Sequence, residues 1–232
     1  MDHITLNKIS NYQPWGRSPE IQYGVSDLNT FLGKTEVDDE TISLITILES
    51  SGLTFALWCL GLLPDYDLRV MEFKLKCARR VEHIDKTGWS KKHLDVLEKF
   101  IESEVSKEEL SSIERTAFSE ASFESRRNIN VSVRKVPDFC DPDIIRSEIV
   151  ETLSIYSHTA LVDAKYAVAH AISKKAEDVS YTVIHVNKAL SREATKSLKF
   201  PISAFRASIR YAQLAEDTES EYQIKLFKEI FG

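Results

Sequence analysis

The sequence predicts an all-α fold, a single layered domain of about nine or ten antiparallel helices. Three observations carry that expectation. Apolar residues recur at spacings of three and four through most of the chain. Seven Gly and six Pro leave too little turn chemistry for a β-sandwich or a series of βαβ units. A chain of 232 residues also buries roughly 70% of its unfolded surface, so a core needs neither disulfide nor metal.

Residues 1–25 mix Asn11, Pro14, Gly16, Pro19 and Gly24 with Tyr12, Trp15 and Tyr23, and read as an irregular arm anchored by its aromatics. Residues 26–126 form an N-terminal helical half. Ser26 and Asp27 open a short helix that Gly33 can end. A second helix starts near Asp39 and carries Ile42, Leu44, Ile45, Ile47 and Leu48. Beyond Gly52, the run from Leu53 to Leu63 is apolar nearly all round, the pattern of a helix buried on every side. Pro64 stops it. Asp65 to Asp67 then open a helix to about Ile84, with Leu68, Met71, Leu75 and Ala78 beside a stripe of Val70, Phe73, Cys77 and Val81. Ser90 is placed to cap the next helix, and Ser106-Lys107-Glu108-Glu109 is a capping box for a polar helix to about Arg126.

Residues 127–140 change character. Ile129, Val131, Val133 and Val136 alternate with polar residues, which suits an extended segment near 129–136, a linker, or a region ordered by a partner. Residues 141–232 form the C-terminal helical half, opened by Asp141-Pro142 as cap and first helical position. Ala160, Ala164, Ala167 and Ala171, and later Ala204, Ala207, Ala212 and Ala215, allow close helix approach. Pro201 should interrupt the run, and Thr218-Glu219-Ser220-Glu221 is a second capping box for a terminal helix from Tyr222 to Phe231.

The balance of 30 basic and 36 acidic residues, net −6, provides no global cationic field and disfavours nucleic acid as a partner. Cys59, Cys77 and Cys140 have no CxxC spacing and read as reduced, buried thiols. The segment Met-Asp-His-Ile-Thr-Leu has neither a basic region nor an apolar run, and Leu53 to Leu63 is short for a membrane span, so a cytoplasmic location with no membrane partner is expected.

No Walker loop, GxGxxG, HExxH, GxSxG or EF-hand pattern is present, and no two histidines fall three or four residues apart. The expectation is therefore a non-enzymatic protein with no cofactor and no metal. Two groups are candidate ligand- or partner-binding residues. Arg79 and Arg80, with Glu82 and His83, lie downstream of Trp58; Arg79 and His83 at i,i+4 would make a small anion-binding pair. The competing reading is ordinary surface charge with one arginine capping carbonyls. The second group is Asp163, Tyr166 and His170, with Tyr156 and His158 upstream. The first three share a helix face that can line a pocket. Its outer members are about 10 Å apart along the axis, too far to hold one metal alone. Structural hydrogen bonding within a small-residue helix pair competes with this reading too.

Gly33-Lys34-Thr35, Asp38-Asp39-Glu40, the run from Leu44 to Leu53, Ala56-Leu57-Trp58-Cys59-Leu60 and the run from Cys77 to His83 together resemble a family of uncharacterised helical proteins of tailed phages. There the segment precedes an alanine-rich helical tail ending in a Gln-containing acidic helix, a place taken here by Tyr222 to Phe227. The same helical type is similar to immunity proteins found beside bacterial toxins. The resemblance implies a phage or mobile-element origin and an accessory role. The expected function is capture of a host defence protein or a small anionic signalling molecule in the host cytoplasm. Toxin neutralisation and a nucleotide-acting enzyme are the alternatives, and a homo-oligomer is compatible with all three.

Overall fold

A computed structural model describes residues 4–12, 19–133, 159–196 and 202–232. Among them are nine α-helices and no strand, as the periodicity predicts. Tyr156, His158, Cys140, Asp141-Pro142 and Pro201 lie outside the described residues, as do Trp15 and Val136.

Where it is described, the N-terminal segment is largely helical rather than an irregular arm. Leu6–Asn11 forms α1, capped by the Thr5 hydroxyl, which accepts from the Lys8 N–H at 3.2 Å. Its entry is fastened by backbone bonds from Ile42 N to Ile4 O (2.8 Å) and from Asn7 N to Asp38 O (3.0 Å). Leu6 and Ile9 are fully buried, so six residues suffice for a helix that tertiary contacts hold in place. The second helix, α2 (Pro19–Leu32), likewise begins before Ser26, where the sequence placed its start. Gly33 ends it with φ 66, and Gly33 N bonds Thr30 O while Lys34 N bonds Asn29 O, a Schellman closure.

In α3 (Leu44–Cys59) the cap is Ser43, later than Asp39. Gly52 takes φ 78 and ψ 176, dividing the helix into two pieces. With the following turn, Leu44–Leu62 is long and apolar enough to cross a membrane by length and composition. Here Gly52 breaks the internal hydrogen bonding midway, which hydrocarbon would leave unsatisfied, and Ile47, Phe55, Ala56, Leu57, Cys59 and Leu60 pack into the core.

The Asp67 carboxylate caps α4 (Leu68–Arg79), accepting from the N–H groups of Arg69 (3.0 Å) and Val70 (3.3 Å). This helix stops at Arg79 rather than near Ile84; Glu82–Ile84 is a separate 3-10 turn. Ser90 does not cap α5 (Trp89–Ile101). Gly88, at φ 79, turns the chain into the helix, and the Ser90 N–H donates to Asp85 Oδ2 at 2.7 Å. The Ser106 hydroxyl does cap α6 (Lys107–Val133), accepting from Glu109 N at 3.2 Å.

That helix runs beyond Arg126 and absorbs Ile129, Val131 and Val133, so the expected extended segment is helical as far as Val133. Each added helical residue gains a hydrogen bond, whereas a strand needs a partner, and among the described residues only one isolated bridge, Thr5 to Thr41, exists. The last three helices are α7 (Ala160–Ile172), α8 (Asp178–Lys196) and α9 (Ile202–Phe231). Thr218 lies inside α9, its hydroxyl donating to Leu214 O at 2.8 Å, so the second capping box does not start a helix. The residues before it, Ala212, Leu214, Ala215 and Glu216, favour helix and carry the helical run through it.

Two apolar clusters make the core, and α4 and α7 contribute to both. Phe73 and Cys77 of α4, with Ala160, Ala164 and Ala167 of α7, face the cluster shared with α3, α8 and α9. Met71, Leu75 and Ala78, with Val168, Ala169 and Ile172, face the one shared with α5 and α6. The helix α7 is thus enclosed on all sides, and even its Asp163 and Lys165 are buried. Its alanines let α8 lie closely against it.

Candidate functional site

Arg79 is already saturated. Its guanidinium pairs with Glu82 (2.5 Å), Asp95 (2.7 Å) and Glu98 (2.7 Å). Because α4 ends at Arg79, His83 sits exposed in the next turn and helical i,i+4 pairing does not apply. Arg80 bonds the buried Glu219 at 3.1 Å and lies 4.7 Å over the Tyr222 ring. Burial pushes the Glu219 carboxyl above the usual range, although Arg80 and Gln223 pull it down. Trp58 packs elsewhere, stacked on Phe55 at 5.6 Å and tilted against Tyr12 at 4.8 Å.

The row Asp163, Tyr166 and His170 does come together, through a second row on the antiparallel α8 that sequence reading missed. Asp163 Oδ1 meets His185 Nδ1 at 3.0 Å, and Oδ2 meets Arg192 at 2.5 Å. Tyr166, His185, His170 and Tyr181 form a ring column with successive centroid distances of 5.2, 5.6 and 5.0 Å. His170 Nδ1 lies 3.3 Å from Asp178 Oδ1. Residues 178, 181, 185 and 192 follow spacings of three, four and seven, so the signal was a polar stripe complementary to that of α7.

Burial lowers the basicity of His185, against the pull of Asp163. Burial raises Asp178, but hydrogen bonds with His170 and Ser173 and the charge of Lys74 outweigh it and hold the carboxyl below the usual range. The two histidine rings are 9° from parallel, and lone pairs in stacked planes cannot meet at a metal some 2 Å from each nitrogen. No cluster of three metal-ligating side chains occurs among the described residues.

Lys74 is fully buried at the C-terminus of α7, where its ammonium donates to Ser173 O and to Lys175 O (3.3 Å). Those carbonyls lie at the negative end of a helix dipole, which suits a cation. Burial pushes the Lys74 pKa down to about 8, with Asp178, Glu114 and Asp65 pulling the other way. The bonds hold the turn on either side of Lys174.

Lys174 projects into a groove of about 860 Å³ between that turn, Tyr66 and one face of α6. The α6 face is Lys107, Ser111, Arg115 and Phe118, at helical spacing, with Glu108 and Glu114 alongside. Tyr66 adopts φ 63, a left-handed conformation that costs an aromatic residue roughly 1–3 kcal/mol and that clusters at ligand sites. Its N–H donates to Lys174 O (2.9 Å), its hydroxyl meets Ser111 Oγ (3.0 Å), and its ring packs against Phe100. The Lys107 ammonium lies 4.9 Å from the ring centroid, an exposed contact worth about 0.5–1 kcal/mol. Among the described residues, Lys107, Arg115 and Lys174 have no ion-pair partner. Nothing in the periodicity marks this groove, because its wall at Tyr66 is set by a turn. Arg79 and Asp163 take no part in it. No protein family, no characterised protein and no solved structure matches the chain.

Proposed function

We propose that this protein is a non-enzymatic, phage-type accessory protein that captures a small anionic signalling molecule of the host in the Tyr66 groove. The observation carrying this reading is the gathering of Lys107, Arg115 and Lys174, without ion-pair partners among the described residues, around a ring whose backbone is held left-handed. A volume of about 860 Å³ falls within the range of small-molecule sites. The phage setting is supported by the resemblance of the segment from Gly33 to His83. Calorimetric titration of the purified protein with small organic and inorganic phosphates tests the capture. Submillimolar binding that disappears in Arg115→Glu is expected, whereas binding to none of them, or binding indifferent to that charge reversal, would sink it.

A second reading is toxin neutralisation. It is supported by Glu216, Asp217 and Glu221 on the exposed side of α9, which have no ion-pair partner among the described residues and would suit a basic toxin surface. Rescue of toxin-expressing cells by the wild-type chain, lost on Glu216→Lys with Asp217→Lys, would favour it over small-molecule capture.

A further inference from the structure

Resting on the capture reading, we infer that the ligand class of the Tyr66 groove is a nucleoside phosphate. The groove is not uniformly cationic. Glu108 and Glu114 stand among Lys107, Arg115 and Lys174, so a ligand that is anionic throughout, such as inorganic phosphate or pyrophosphate, meets repulsion as well as attraction. Full complementarity needs an anionic end for Arg115 and Lys174 and hydrogen-bond donors for the half-buried Glu114. The hydroxyls of a sugar and the amino groups of a base are such donors.

The apolar surface fits the same class. Phe118 is half-buried in the groove wall, and Tyr66 has one side against Phe100 and Lys107 over the ring. Lys107 is exposed, at the first turn of α6, and its ammonium lies over the ring without an ion pair among the described residues. A flat base entering the groove displaces the ammonium from Tyr66, stacks in its place, and leaves the ammonium beside the phosphates. The ring keeps a π-face partner and the cation gains a stronger one. Pinning of Tyr66 by its backbone bond to Lys174 O and its hydroxyl contact with Ser111 holds the ring in fixed register with α6 before any ligand arrives.

Isothermal titration of the full chain with ADP, GDP, CDP and UDP, each beside pyrophosphate and adenosine at one ionic strength, tests this. At least one nucleoside diphosphate should bind 10-fold or more tighter than pyrophosphate, with adenosine weaker than either. Arg115→Ala should weaken nucleotide and pyrophosphate together. Glu114→Gln should shrink the nucleotide-to-pyrophosphate ratio by strengthening pyrophosphate and weakening the nucleotide. Tyr66→Gly, which relieves the left-handed backbone while removing the ring, should reduce nucleotide binding about 10-fold and leave pyrophosphate nearly unchanged. Pyrophosphate binding as tightly as every nucleotide would overturn the nucleoside assignment while preserving anion capture. Binding of none of these probes would overturn both, and an unchanged ratio in Glu114→Gln would overturn the placement of the sugar or base.

Discussion

The α7–α8 column and the Tyr66 groove contain the same kinds of group, namely lysine or arginine, carboxylates and aromatic rings, but dispose of them in opposite ways. In the column Asp163 is shared by His185 and Arg192 and His170 meets Asp178, and at its end Lys74 of α4 donates to two carbonyls. In the groove three cations face water without an ion-pair partner among the described residues. A buried charge must be compensated internally or the fold loses stability, whereas a charge at a wet surface can await a ligand. The column is therefore read as structure, although the sequence marks it more strongly, and the groove as the binding site.

The largest test of that contrast is Asp163→Leu. Removing one member of a buried ion pair costs about 3–5 kcal/mol. Since Arg192 keeps 32% of its side chain exposed, the lower end, about 3 kcal/mol, is expected in urea denaturation. A loss under about 1 kcal/mol would mean that the column contributes little to the fold.

Lys74→Met should cost about 2 kcal/mol, because the buried Ser173 carbonyl and the part-buried Lys175 carbonyl lose their donor. Its pH dependence is more diagnostic. The folded-state value, about 8, lies below the free lysine value of 10.5, so the unfolded chain holds the proton more tightly between those limits. Lys74 therefore makes stability rise with pH from about 8 to 10.5, and the variant should lack that rise relative to wild type.

A smaller effect is expected on the acid side. Burial lowers the folded-state value of His185 beneath 6.5, so the unfolded state takes up the proton first and stability falls as pH drops below 6.5. His185→Asn should flatten this part of the stability profile. An unchanged acid limb would show that His185 titrates as it does in water.

The smallest expected change in stability belongs to the groove. Arg115→Ala and Lys174→Ala should stay within about 0.5 kcal/mol of wild type, as surface substitutions do, while weakening anion binding. Should either unfold the chain, the groove would be structural and the contrast with the column would collapse.

Parts of this architecture are legible residue by residue. Gly33 reads as a helix end because only its left-handed φ completes the closure made by Thr30 and Asn29. Ser106 reads as a cap, and the Leu53 to Leu63 run reads as core, because both signals are local. Thr218 and Ser90 are misread for a related reason. A hydroxyl beside a glutamate, or before an apolar run, offers a cap, but whether it is used depends on what precedes it. Helix-forming residues run into Thr218, and Asp85 takes the Ser90 N–H. The Asp163, Tyr166 and His170 row is visible as one half of a pair. Its partners at 178, 181, 185 and 192 show the same periodicity, but only the antiparallel hairpin of α7 and α8 states that the stripes meet.

The sequence alone determines that the chain is helical, where several helices begin and end, and that its thiols at Cys59 and Cys77 are buried and reduced, because hydrogen-bond periodicity, caps and apolar spacing act over a few residues. Tertiary structure alone decides that Arg79 is fully paired, that Lys74 closes the end of α7, and that Tyr66 stands opposite α6 to form a groove. Those outcomes join residues up to about a hundred positions apart, where side-chain packing and desolvation rather than local propensity choose the partners.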